Sequence, residues 1–160
     1  MKSIAVLFPL LWLGWPAGAP ADPAPAPVGL RVQVCARGQG LPDPDIQAFR
    51  ARVRGELAEL GVEAFVPEGG VPAGGCATQK HLRQARAVRA CAVIDLQVLR
   101  FGPVVHIDVR VLHAVVGKEI LHLKARAAAD RFPAGTSLAP VLGKVVDRLR
   151  ATNRRRRTSG

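Results

Sequence analysis

Residues 92–127 read AVIDLQVLRFGPVVHIDVRVLHAVVGKEILHLKARA, and their spacing decides the fold. Ala92, Ile94, Leu96 and Val98 alternate with Asp95 and Gln97. After Phe101-Gly102-Pro103, residues Val105, Ile107, Val109 and Val111 alternate with His106, Asp108 and Arg110. A period of two marks a strand with one buried face. A second turn falls at Val115-Val116-Gly117, and residues 120–127 return. A three-residue hairpin loop with Gly117 in the left-handed region fits this spacing. It sets Leu121 opposite Val111, Leu123 opposite Val109 and Asp108 opposite Lys124. A two-residue loop would instead turn the basic residues of the return strand onto the apolar face.

Working outward, Leu30, Val32 and Val34 alternate with Arg31 and Gln33 up to Cys35, which predicts another half-buried strand. A helix follows, with Asp43 as N-cap, Pro44 in its first turn and Gly61 past its end. Its apolar stripe is Ile46, Phe49, Val53, Leu57 and Leu60, with Arg50, Arg52 and Arg54 mostly off it. Residues 62–66 predict a short strand, and 67–75 a Gly/Pro loop. Thr78 caps a second helix to about Arg89, with Leu82, Ala85 and Val88 inward. Ser137 caps a last helix that turns Leu138, Val141, Leu142, Val145 and Leu149 inward, with Pro140 in its first turn. The order is β-α-β-α-β-β-β-α. The economical packing is α+β: a two-layer sandwich of one mixed five-stranded sheet with the helices on one face. Right-handed crossovers make the first three strands parallel. The outer sheet face then carries Arg31, Gln33, Asp95, Gln97, Asp108, Arg110, Lys124 and Arg126, either solvated or covered by a partner.

The ends differ from this domain. Lys2, the apolar run from Ile4 to Trp15 and Ala19-Pro20-Ala21 form a secretory signal over residues 1–21, cut before Asp22. The run is too short to serve as a membrane span, and no Cys follows it at the spacing of a lipid-anchored precursor. Residues 22–28 are a Pro/Ala linker, 29–152 a single α+β domain, and 153–160 a disordered basic tail carrying Arg154, Arg155, Arg156 and Arg157. The 160 residues hold 23 Lys+Arg against 12 Asp+Glu, a net charge of +11. Without Lys2 and the four tail arginines the balance is still +6, so the domain itself is basic. Aromatic residues are 4% with no Tyr, which argues against a base-stacking platform for single-stranded nucleic acid.

Residues 83–127 resemble a segment of the amino-terminal domain of TolB-like proteins and of the related curli-assembly and penicillin-binding-protein-activator domains. The likeness lies in the Ala-rich helix end from Ala85 to Ala90 and in Cys91-Ala-Val-Ile-Asp-Leu-Gln-Val98. It continues in the strand ending Val109-Arg-Val-Leu-His113 and the turn from Ala114 to Glu119 leading into Ile120-Leu121. Family members commonly carry an acidic residue where His113 stands. The resemblance implies a non-catalytic α+β domain, periplasmic or secreted in a Gram-negative cell envelope, that binds other proteins. No cofactor and no small-molecule substrate are expected.

The candidate sites are few. Export to an oxidising space permits disulfides, and the three cysteines are Cys35, Cys76 and Cys91. A helix between Cys76 and Cys91 would hold them about 18 Å apart, far beyond the reach of a disulfide. In a parallel β-α-β arrangement Cys35 and Cys76 meet at one sheet edge. A Cys35–Cys76 bridge would close about 40 residues and contribute roughly 3–4 kcal/mol through chain entropy. Three reduced, buried cysteines are the alternative. His113 and His122 suggest a metal pair across the last hairpin, but the preferred register puts them on opposite faces and supplies no third ligand. No Ser or Cys has a His and a carboxylate brought to it. Asp95 and Asp108 could approach on adjacent strands as glycosidase carboxylates do, but a register with Asp95 opposite Arg110 is equally available. The Gly69–Gly75 stretch lacks the Lys-Ser/Thr of a phosphate loop. The expectation is therefore no catalytic residue and no metal. The partner is an envelope protein docked on the solvated sheet face or paired with an edge strand. The alternative is an anionic envelope polymer or nucleic acid, held non-specifically by the Arg tail and the Arg50, Arg52, Arg54 helix face.

Overall fold

The computed structural model describes residues 29–67 and 78–158, with side chains to Arg154. The expected signal peptide, the linker and Cys76 lie outside the described residues. The elements are β1 (Leu30–Gln39), α1 (Asp43–Glu59), β2 (Val62–Phe65), α2 (Gln79–Ala87), β3 (Ala92–Phe101), β4 (Val104–His113), β5 (Glu119–Ala128) and α3 (Ala139–Thr158). This is the predicted order. They form one five-stranded mixed sheet in the order β2-β1-β3-β4-β5. β1 is parallel to both β2 and β3, and β4 and β5 add antiparallel hairpins.

The hairpin register is the one that the alternation predicts. Val111 pairs with Leu121, Val109 with Leu123 and Asp108 with Lys124, and Gly117 has φ +68°. The turn is longer than three residues: the His113 amide donates to the Lys118 carbonyl at 2.8 Å, and an irregularity between Val111 and Leu112 restores the register. At the first hairpin Phe101 pairs with Val104, leaving Gly102 and Pro103 in the turn. Gly102 has φ +58°, the conformation that a two-residue loop with glycine in its first central position requires.

Alternate residues of the strands fill one core with α1 and α3. Val32, Val34, Ile94, Leu96, Ile107 and Val109 meet Phe49, Val53 and Leu57 from α1, and Leu142, Val145 and Leu149 from α3. Phe49 packs against Phe132 in a tilted pair with ring centroids 5.0 Å apart. Polar contacts bind the two helices to each other. Glu56, whose side chain is 12% exposed, accepts from Arg52 and from the Leu138 backbone amide at 2.9 Å. It therefore satisfies an amide at the N-terminus of α3, where a carboxylate is also favoured by the helix dipole. Arg150 donates to the Leu60 carbonyl at the end of α1 at 2.9 Å.

Three expectations need correction. The helices do not share one face. Leu82 and Ala85 of α2 pack with Cys35, Val93 and Leu112, which project from the opposite side of the sheet. The strand order explains this. One crossover runs outward from β1 to β2, and the next runs back over β1 to β3. Crossovers of the same right hand that travel in opposite directions place their helices on opposite faces. Secondly, α3 is helical to Thr158, past the expected domain end at 152 and through the tail expected to be disordered. Arginine is a good helix former, and cations are favoured at a helix C-terminus. Thirdly, Pro42 and not Asp43 occupies the cap position of α1, and Asp43 stands in its acidic first turn.

Candidate interaction surface

The outer sheet face holds the residues proposed from the sequence, but α2 divides it. At the β1–β3 end, Gln33 is 2% and Asp95 5% exposed, so neither belongs to a solvated face. Arg31 is drawn sideways onto β2, with its guanidinium 2.8 Å from Glu63 and over the Phe65 ring at 4.6 Å. Beside α2 lies a cleft of about 270 Å³ lined by Gln33, Phe65, Gln84 and Val88, among others.

The other half, on β4 and β5, is open. Asp95 stands opposite Arg110 and Gln97 opposite Asp108, so the two aspartates are not brought face to face. Asp108 is bonded to His122 across the strands and lies 3.8 Å from Arg110. Arg110, His122, Lys124 and Arg126 are exposed, and His106 packs edge-on against the exposed Phe101 ring. Gln97 accepts from Arg37 at 3.1 Å where the two halves meet. Cross-strand neighbours on one face lie close enough to act together. The surface is therefore a basic strip interrupted by one carboxylate that its neighbours already hold.

The cysteines and histidines sort by strand face. Cys35 is completely buried under α2. Cys91 is half-buried, and its Sγ donates to the Arg31 carbonyl at 3.2 Å. Cys76 is outside the described residues. The Nδ1 atom of His113 accepts from the Val115 amide at 3.1 Å and orders the turn, while His122 is on the outer face. Among the described residues no group of three His, Cys, Asp or Glu side chains is placed to hold a metal ion. Arg154 is exposed on the helical extension of α3. On α1, Arg52 is committed to Glu56 and to the Ala134 carbonyl, so the Arg50, Arg52, Arg54 face is not three free cations.

Two residues escaped the sequence reading. His81 is 3% exposed and its Nδ1 lies 2.7 Å from the Thr78 hydroxyl, which fastens the first turn of α2. Glu56 is the other, since its role depends on a helix 82 positions away. For His81 there was a signal: it stands three residues after the cap Thr78, the spacing of a reciprocal cap. For Glu56 there was none.

No family model matches the chain, and no curated protein matches it by sequence. Solved structures match by shape. A PelC variant from Paraburkholderia phytofirmans, solved as a dodecamer, aligns over 76% of this chain and 88% of its own, with 16% identity and TM-score 0.53. The LpoB C-terminal domain from Escherichia coli aligns over 62% and 83%, with 14% identity and TM-score 0.51. TolB from Acinetobacter baumannii aligns over 74% of this chain but 28% of its own, with 12% identity and TM-score 0.49. At these identities the likeness is one of fold, and it is the α+β fold that residues 83–127 resemble in sequence.

Proposed function

We propose that this chain is an exported, non-catalytic binding domain of a bacterial envelope that presents the outer face of β4 and β5 to a partner protein. The observation that carries the reading is the division of that face. α2 packs over Cys35 and Val93, while Arg110, Lys124 and Arg126 stand together on regular, exposed strands. A fixed spacing of charges on a rigid sheet is a better docking surface than the same charges on a loop, because less freedom is lost on binding. The fold shared with the LpoB domain is compatible with this role. Among the described residues no helix is long and apolar enough to cross a membrane.

A crosslinking pull-down from envelope extract tests the reading against anionic-polymer binding. The protein with residues 154–157 deleted is expected to retain its crosslinked partner at moderate salt, and Arg110→Glu with Arg126→Glu to lose it. Polymer binding predicts the reverse: loss on deleting the tail, collapse with rising salt and only a partial effect of the sheet variants. That pattern would replace our reading with the polymer one.

We further propose a Cys35–Cys76 disulfide in the exported protein. Its support is the placement of the sulfurs: Cys35 is completely buried on β1, and the Cys91 Sγ is turned to the Arg31 carbonyl. Intact mass and thiol titration of protein purified from producing cells are expected to show loss of residues 1–21 and one reactive thiol after denaturation. Retention of Met1 would refute export, and three reactive thiols would refute the bridge.

A further inference from the structure

We infer that the open edge of β5 receives an extended segment of the partner, of alternating acidic and apolar residues, as a sixth strand of the sheet. The inference rests on the protein-binding reading above and names the partner's chemistry.

The hydrogen-bond phase of β5 comes first. β5 is the end strand of the sheet and pairs with β4 on one side. The Ala129 amide donates to the Pro103 carbonyl at 2.9 Å, continuing the pairing of Val104 with Ala128. Antiparallel strands exchange bonds at every second pair. Val105–Ala127, Ile107–Ala125 and Val109–Leu123 are therefore the exchanging pairs. The N–H and C=O groups of His122, Lys124 and Arg126 consequently point away from β4, toward the open edge. A row of such groups is a template for another strand.

The side chains then select the occupant. The three residues whose backbone is open also place exposed His, Lys and Arg side chains on the outer face, with Arg110 behind them on β4. Basic residues at an edge deter pairing with a like-charged strand. A second copy of β5 would set these cations against each other. An acidic strand would pair with them, since opposite charges across a ladder attract and like charges repel. The other face asks for apolar residues. Leu121, Leu123, Ala125 and Ala127 are only partly buried against the core, so a neighbouring strand would extend that apolar layer. Acid on one face and apolar on the other is the alternation a partner needs.

The probe is a capped octapeptide of alternating Glu and Val, titrated into the isotope-labelled protein, with the Lys-Val octapeptide as control. Expected are chemical-shift changes and slowed amide exchange at His122, Lys124 and Arg126, and at least tenfold weaker binding of the Lys-Val peptide. Lys124→Pro removes an outward amide without touching the β4 ladder and should lose binding tenfold or more with its melting curve intact. Should that variant fail to fold, Lys124→Glu with Arg126→Glu decides, because it should reverse the preference between the peptides. No binding of the Glu-Val peptide, binding with unprotected β5 amides, or an unreversed preference would overturn the inference. An envelope partner still captured by Lys124→Pro would refute the edge while sparing the protein-binding reading. Peptide bound at the edge but no partner captured would do the opposite.

Discussion

Phe49→Ala is expected to cost about 3–5 kcal/mol, the range for removing a fully buried aromatic side chain from a packed core. Phe49 has no exposed surface and packs against Phe132 at 5.0 Å. It also stands on the α1 face that meets the sheet, so the lost ring leaves a cavity bounded on several sides. Backbone hydrogen bonds hold both the strands and the helix, and they prevent the walls from collapsing to fill it. A domain of this size has about 5–15 kcal/mol of stability in total, so the variant loses a large part of it. Urea unfolding followed by circular dichroism measures the effect. A loss below about 1 kcal/mol would mean that Phe49 is not enclosed between α1 and the sheet.

Leu82→Asp is expected to cost at least about 3 kcal/mol, but to act locally. The substitution removes a side chain that is 4% exposed and puts an unpaired carboxylate among apolar neighbours. Those neighbours, Cys35, Ala85, Val93, Leu112 and Ala114, form a cluster separate from the core under α1 and α3. The α2 amides should therefore exchange faster with solvent, together with the β4–β5 turn, where Gly117 lies against Leu82. The amides of β3 and β4 should keep most of their protection, since α1 and α3 still cover the inner face. Hydrogen exchange read by mass spectrometry separates the outcomes. Uniform loosening of the whole domain would show that the second cluster is not an independent unit.

These two experiments probe the two faces of the sheet, and the faces were unequally legible in the sequence. The inner one needed only periodicity. Val32, Val34, Ile94, Leu96, Ile107 and Val109 repeat every second residue, and Ile46, Phe49, Val53 and Leu57 repeat with the helical turn, so each element announces its buried side locally. The last hairpin was equally legible. A glycine able to take positive φ at position 117, with apolar residues on both arms, leaves one register that buries them together.

The outer face was misread for a reason that is not local. Gln33 and Asp95 are polar residues at outward positions, and a strand pattern alone marks them as wet. Whether α2 covers them depends on where β3 inserts. Had β3 joined the far side of β2, both crossovers would have travelled the same way and all helices would share one face. Insertion beside β1 reverses the second crossover and carries α2 to the other side. Cys35, Val93 and Leu112 were the available hint, being apolar residues at outward positions on three different strands. The open half of the face, with Arg110, Lys124 and Arg126, was foreseen as a list of residues. Its isolation from Gln33 and Asp95 was not.

By itself, then, the order of residues determined the elements, the inner core and the pairing of the final hairpin, because periodicity and turn chemistry act between near neighbours. Strand order, the side that α2 takes, the capping of α3 by Glu56 and the limits of the exposed basic strip were decided by the tertiary structure. Each depends on which distant segments become adjacent, and no local pattern of polarity encodes that adjacency.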